Sequence, residues 1–192
     1  MSQWNNQHNY SIKSVYLKLM EGKPNVQWAK AIWNRMSLPK HKFIAWIGIQ
    51  ARLKTKDKLY QFNINPDDRC CLCGAETESH AHLFFNCVYS KELIKKLLIW
   101  VDVNYATRSI QQWFRWIRSS YSGSKLRKSI MCTVIAAAIY QIWRNRNTAY
   151  WLSKVYNVDY VLKDTKYIVK NRINMCNNAK WSSVDIRWVD AL

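Results

Sequence analysis

A chain of 192 residues suits one domain or two small ones. Its 49% hydrophobic content, with eleven Trp and eleven Tyr, supplies a core and excludes a wholly disordered protein. Four Gly and three Pro disfavour a turn-rich sandwich or barrel and favour helices, while 30 Lys and Arg against 12 Asp and Glu leave a net charge of +18, a balance that points to a polyanionic partner, most often nucleic acid.

The elements follow in order. Ser11 is placed to cap a helix whose apolar positions Ile12, Val15, Tyr16, Leu19 and Met20 fall on one face, with Gly22 and Pro24 ending it. A second helix is expected around Trp28, Ile32 and Trp33, stopping before Pro39. A third begins at Pro39 and runs through Phe43, Ile44, Trp46 and Ile47 towards Ala51. Thr55 is expected to cap a short turn through Leu59. Asn63 to Arg69, with Pro66, Asp67 and Asp68, reads as a loop. From Ser79 a short helix is predicted to carry His82, Phe85 and Cys87 and to end or tighten near Cys87, because five residues is not the facing distance of an α-turn. Further helices are predicted from Ser90, with Leu93, Ile94, Leu97, Leu98 and Val101 on one face, and around Ile110, Trp113, Phe114 and Ile117.

Tyr121 to Ser124 is a Ser/Gly loop. The longest predicted helix follows, Lys125 to Leu152, apolar nearly all round between Ile130 and Trp143 and therefore expected to be buried. Interrupted by Thr133 and Gln141, that run is too short to span a bilayer. A last helix is predicted from Asp159 to Cys176, with Leu162, Thr165, Ile168, Val169, Ile173 and Cys176 as its stripe. The tail from Asn177 has no period, although Trp181 and Trp188 could pin it. Met1 to Tyr10 is polar and lacks the apolar stretch of a secretory leader, so an intracellular location, nucleus or cytoplasm, is expected, with no membrane partner. Six Cys in this length do not make a disulfide scaffold, and Cys132 and Cys176 read as apolar packing residues.

The Cys/His segment carries the chemistry. Cys70-x2-Cys73-x8-His82-x4-Cys87 places four soft donors within eighteen positions, the way a tetrahedral Zn²⁺ site is commonly built. Cys71 competes for a place in the first pair, and His80 competes with His82. Cys70 with Cys73 has the better spacing; spacing alone does not separate the two His. A site closed by four protein donors leaves no position for a reacting water, which argues against zinc catalysis. The segment is also an acidic island. Residues 61–90 hold one basic residue, Arg69, and four acids, between arms carrying eleven and eighteen Lys and Arg.

The stretch CCLCGAETESHAHLFFNC, Cys70 to Cys87, resembles the zinc-binding domain found after reverse transcriptase in plant non-LTR retrotransposons. Its usual form is CxxCG, an acidic Glu-Ser/Thr spacer, then HLFxxC. Flanking blocks resemble the same family in order: YSIKSVY (Tyr10 to Tyr16), the Trp28 to Trp33 step, PKHKFIAW (Pro39 to Trp46) and RLKTKDKL (Arg52 to Leu59). IWRNRNTAY (Ile142 to Tyr150) is similar to a helix often found downstream. The resemblance implies Cys70, Cys73, His82 and Cys87 as ligands of one structural zinc. It also implies a mostly α-helical fold with a small Cys3His knuckle, with 1–102 as the zinc-binding domain and 103–192 as a helical extension that could pack as one body with it.

No Tyr-x-Asp-Asp polymerase motif is present, and Asp67-Asp68 follows Asn65-Pro66 in a loop; there is no Gly-rich phosphate loop and no His-Glu-x-x-His. The resemblance therefore implies a non-catalytic accessory module. Its expected partners are RNA or DNA bound with weak sequence preference, and a reverse transcriptase acting in trans; no small-molecule substrate is expected. Candidate phosphate contacts are Lys40, Lys42, Arg52, Lys54, Lys56, Lys58, Arg144 and Arg146, of which Lys54, Lys56 and Lys58 are the best placed. The interleaved aromatics Trp46, Tyr60, Trp143 and Tyr150 read mainly as core. The competing readings are a protein-interaction or assembly module, and a domesticated or degenerate retroelement remnant.

Overall fold

A computed structural model describes residues 28–105, 107, 109–176 and 181–192, with residues 11, 14, 15, 18, 19, 21, 22 and 26. Most of the helix expected after Ser11 lies outside the described residues. Among them the fold is helical and no β-strand forms.

The first described helix, α1 (Ala29–Ile32), is flanked by Trp28 and Trp33 and stops before Pro39, as expected. Asn34 explains this: its Oδ1 accepts from the N–H groups of Met36 and Ser37, turning the chain before another helical turn can form. Leu38 is extended, as the residue before a proline prefers, and Pro39 opens α2 (Pro39–Ile49). Thr55 does precede α3 (Lys56–Gln61), yet its hydroxyl donates to Asp57 instead of capping the helix. The cap comes from outside: Glu78 Oε1 accepts from Lys56 N–H at 3.0 Å, and the Glu78 carbonyl accepts from Asp57 N–H at 3.2 Å.

A π turn (His82–Asn86) leads into α4 (Val88–Trp100), whose buried face is Tyr89, Ser90, Leu93, Ile94, Leu97 and Leu98. Ser109 caps α5 (Ile110–Ser119) by accepting from Gln112 N–H, and Ile110, Trp113, Phe114 and Ile117 are its buried residues. Ser124 caps α6 (Lys125–Leu152) in the same way. At about 1.5 Å per residue, α6 is about 42 Å long. It is buried without interruption from Ile130 to Ile139, and α1, α2, α4, α5, the π turn and the following helix all pack on it. The three consecutive Ala136 to Ala138 let these neighbours come close. Gly48 does the same from α2: a Cβ there would stand 3.1 Å from Ile110 Cδ1.

Helix α7 (Val158–Met175), capped by Asn157, buries Val161, Thr165, Val169 and Ile173 against α6 and α4. Arg172 donates from it to the carbonyls of Met36 and Arg35, tying it back to the N-terminal segment. The tail holds a helix that periodicity did not reveal, α8 (Ser183–Asp190). Asp185, nearly buried, accepts from Ser124 Oγ and Arg127 Nε, and Arg127 covers the Trp188 ring. Trp100 Nε1 donates to the Leu192 carbonyl. Trp181 and Trp188, with Val189 and Leu192, pack against the core as expected of the two rings, and the polar anchor at Asp185 adds a contact that an apolar pattern could not find. No helix among the described residues is long and apolar enough to cross a membrane.

Candidate metal centre

The first half of the centre is a reversal of the backbone. Arg69 and Thr77 form an isolated antiparallel bridge, and Cys70 N–H donates to the Glu76 carbonyl at 2.8 Å. Between them the chain curls so that Gly74 N–H returns to the Cys70 carbonyl, also at 2.8 Å. Gly74 sits at φ +67 with open space where a Cβ would be, so the left-handed backbone, not crowding, is what asks for glycine. Arg69 holds the outside of the curl by donating to the Ala75 carbonyl. Cys70 and Cys73 thereby approach one centre.

The second half is the π turn. Cys87 N–H donates to the His82 carbonyl at 2.7 Å, five residues back. The helix therefore ends at Cys87, as one of the two expectations had it, and it widens before that end instead of tightening. An α-turn leaves residues five apart on different faces, whereas one π turn brings them into line. Leu83 and Phe84, both fully buried, hold the widened turn in the core. Ser79 Oγ accepts from His82 N–H at its start.

The two halves bring Cys70, Cys73, His82 and Cys87 together, with all four donor atoms within 4.8 Å of one another. Cys70 Sγ lies 3.9 Å from Cys87 Sγ, and Cys73 Sγ 3.2 Å from His82 Nε2. A tetrahedron with Zn–S bonds of about 2.3 Å has edges of about 3.8 Å, so three sulfurs and one imidazole nitrogen at these separations fit a zinc ion. Glu76, missed as a functional residue in the sequence, holds His82 Nδ1 at 2.9 Å. A carboxylate there fixes the ring and leaves Nε2 for the metal.

Electrostatics separate the two buried sulfurs. Cys87 is held down at about 5, first by the Cys70 thiol and then by the Ser90 and Tyr89 N–H groups at the start of α4, which outweigh burial. Cys70 is pushed up by its hydrogen bond to Cys87 and by burial. The competitors stay outside. Burial pushes Cys71 up to about 11, with the Glu78 carboxylate adding to it. Burial lowers His80 to about 4, and its ring packs on Phe84 at 5.0 Å.

Glu78 is the second residue that sequence reasoning missed. It is fully buried, and its carboxylate accepts from Lys56 N–H, Cys71 N–H and Arg146 Nε. Arg146 Nη2 stands 2.7 Å from the same oxygen. Arg146 is 2% exposed, with the rings of Trp143 and Tyr150 at 5.1 and 4.7 Å. No local pattern signals a pair 68 residues apart.

Arg146 therefore turns inward, away from any phosphate, because it is the counter-ion of the metal loop. The other expected phosphate contacts differ among themselves. Lys40, Arg52 and Lys54 are exposed and form no ion pair among the described residues; Lys40 lies over Tyr140 and Lys54 over Phe62. Lys42 is half-buried, its pKa lowered by burial and by nearby Arg172. Lys56 pairs with Asp67 at 2.7 Å, Lys58 donates to the Ala51 carbonyl, and exposed Arg144 pairs with Asp164 at 3.3 Å. Of the interleaved aromatics, Trp46, Trp143 and Tyr150 are half-buried, while Tyr60 is exposed.

Residues 10–93 match one known family, described as zinc-binding in reverse transcriptase. No curated protein and no solved structure matches the chain.

Proposed function

Taking residues 10–93 as a zinc-binding domain of the reverse-transcriptase kind, we propose that the chain is a non-catalytic accessory module that one structural zinc stabilises and that binds RNA or DNA by its backbone. The family match and the closed Cys3His cluster support the zinc. Four protein donors occupy a tetrahedral ion, so the metal organises the fold and offers no place to a substrate. The retroelement origin of the module follows the family.

The observation that carries nucleic-acid binding is charge. The chain has net +18, and Lys40, Arg52 and Lys54 are exposed without ion pairs among the described residues. Contacts of this type hold phosphates and read little sequence. For the zinc-loaded chain, the logarithm of the affinity for a single-stranded or duplex oligonucleotide should fall linearly with the logarithm of salt, with a slope of several units. A flat response overturns the reading.

A second reading, an assembly module docked on a reverse transcriptase in trans, is favoured by the exposed rings of Trp33 and Phe43, both grouped around Trp46. Apolar docking of that kind would resist salt.

A further inference from the structure

A groove of about 840 Å³ lies beside the metal centre, where the π turn, α4 and the segment leading into α5 meet. Phe85, Ile94, Leu98, Tyr105 and Trp113 give it an apolar lining, and its size falls in the range of pockets that take a small ring system. Two features say what kind of occupant it suits. Trp113 is 3% exposed, yet its indole N–H has no hydrogen-bond partner among the described residues. A buried donor left unpaired is costly, so the site asks for an acceptor.

The second feature is charge at the edge. Lys91 and Lys95 line the groove one helical turn apart on α4, and both are exposed. Neither forms an ion pair among the described residues, because the nearby acid on α4, Glu92, pairs with Lys96 instead. Asp102 is the one acid in the lining.

An apolar slot with aromatic rings, a buried unpaired donor on one of its lining residues and, at its edge, two cations without ion pairs among the described residues matches a flat ring that bears acceptors and is joined to phosphates. We propose that the groove seats one unpaired nucleotide of a single-stranded nucleic acid. The base packs against Phe85 and Tyr105 and accepts from Trp113 Nε1–H, while the flanking phosphates lie at Lys91 and Lys95. A paired base has its edge engaged and its faces stacked, so a duplex cannot enter. This assignment rests on the nucleic-acid reading above and names the strand state and the place.

The test is fluorescence anisotropy of labelled 12-nucleotide single strands, RNA and DNA, and of a matched duplex, titrated with the zinc-loaded full chain over a salt series. Lys91→Gln with Lys95→Gln should weaken single-strand binding at least about tenfold and reduce the salt slope by about two. Trp113→Phe should weaken it several-fold and leave the slope unchanged, since it removes a donor and no charge. The duplex should be insensitive to both. Lys163→Gln with Lys170→Gln, two exposed positions on α7 outside the groove, reports the effect of lost charge alone.

If the α4 pair weakens binding no more than the α7 pair does, or if the duplex responds equally, the groove assignment falls and the nucleic-acid reading stands. If the unaltered chain binds no strand at any salt, both fall. Should Trp113→Phe lower the melting temperature, the surface lysine pair decides alone.

Discussion

The metal loop and helix α6 are held by opposite means. From Ile130 to Ile142, α6 is packed mainly among apolar neighbours, with long-range polar side-chain contacts at Thr133, to Ser37 and Asn34, and at Gln141, to Asp164. Between Arg69 and Cys87 the apolar core contacts come mainly from Leu83 and Phe84 of the π turn, while the stretch from Gly74 to Thr77 is exposed. The loop is held by four convergent donors, by backbone hydrogen bonds across a single bridge, and by one buried carboxylate. The lesson is that α6 draws its order from burial, whereas the loop borrows its order, partly from a metal and partly from α6 itself through Glu78 and Arg146. Arg146 lies beyond the residues that match the family, so the matched segment leans on chain outside it.

Stripping the metal should separate the two regions most sharply. Structural zinc sites contribute on the order of 10 kcal/mol. Purified protein should contain one zinc per chain, and a strong chelator should abolish hydrogen-exchange protection in residues 69–87 while α6 keeps most of its own. Equal loss in both would break the comparison; unchanged protection would remove the structural role of the metal. Glu78→Ala comes next. It strands the Arg146 charge in the interior and should cost roughly 3–5 kcal/mol in urea denaturation of the zinc-loaded chain. Replacing both, Glu78→Leu with Arg146→Met, should recover part of this loss; a double variant as unstable as the single one would show that the cost was packing alone.

Ile139→Ala, inside α6, should cost about 3 kcal/mol through the cavity it leaves, with zinc affinity unchanged. A large fall in zinc affinity would show that the two regions share more than one link. The smallest effect is expected at Glu76→Ala. Losing the carboxylate on His82 Nδ1 should weaken zinc binding about tenfold in competition with a chromophoric chelator, with little change in the melting of α6.

The same division explains what the sequence disclosed. Helix α6 was legible from Lys125 to Leu152 because a continuous apolar run announces burial directly. The four donors were legible because metal spacing is a local pattern. What escaped was held by polar contacts between distant positions. Glu78 looked like one acid among four, and Arg146 like one cation among thirty. Helix α8 escaped in part for the same reason, since beside the core packing of Trp188 and Val189 it is held by Asp185 on Ser124 and Arg127. Asn34, which ends α1, acts through its own backbone neighbours and leaves no periodic trace.

The π turn sets a rule about chain length. A residue added between Gly74 and Ala75, both exposed, lengthens the solvent-facing tip of the curl and leaves Glu76, Thr77 and the buried Glu78 beyond it. A residue removed from Leu83 to Asn86 has no such outlet. The turn would close to ordinary α spacing, and its end would rotate by about 100° about the helix axis. Cys87, which follows the turn in non-helical backbone before α4 begins, would swing off the metal. Insertions should therefore be accepted at Gly74–Ala75 and deletions rejected within Leu83–Asn86, where the π turn sets the position of the sulfur.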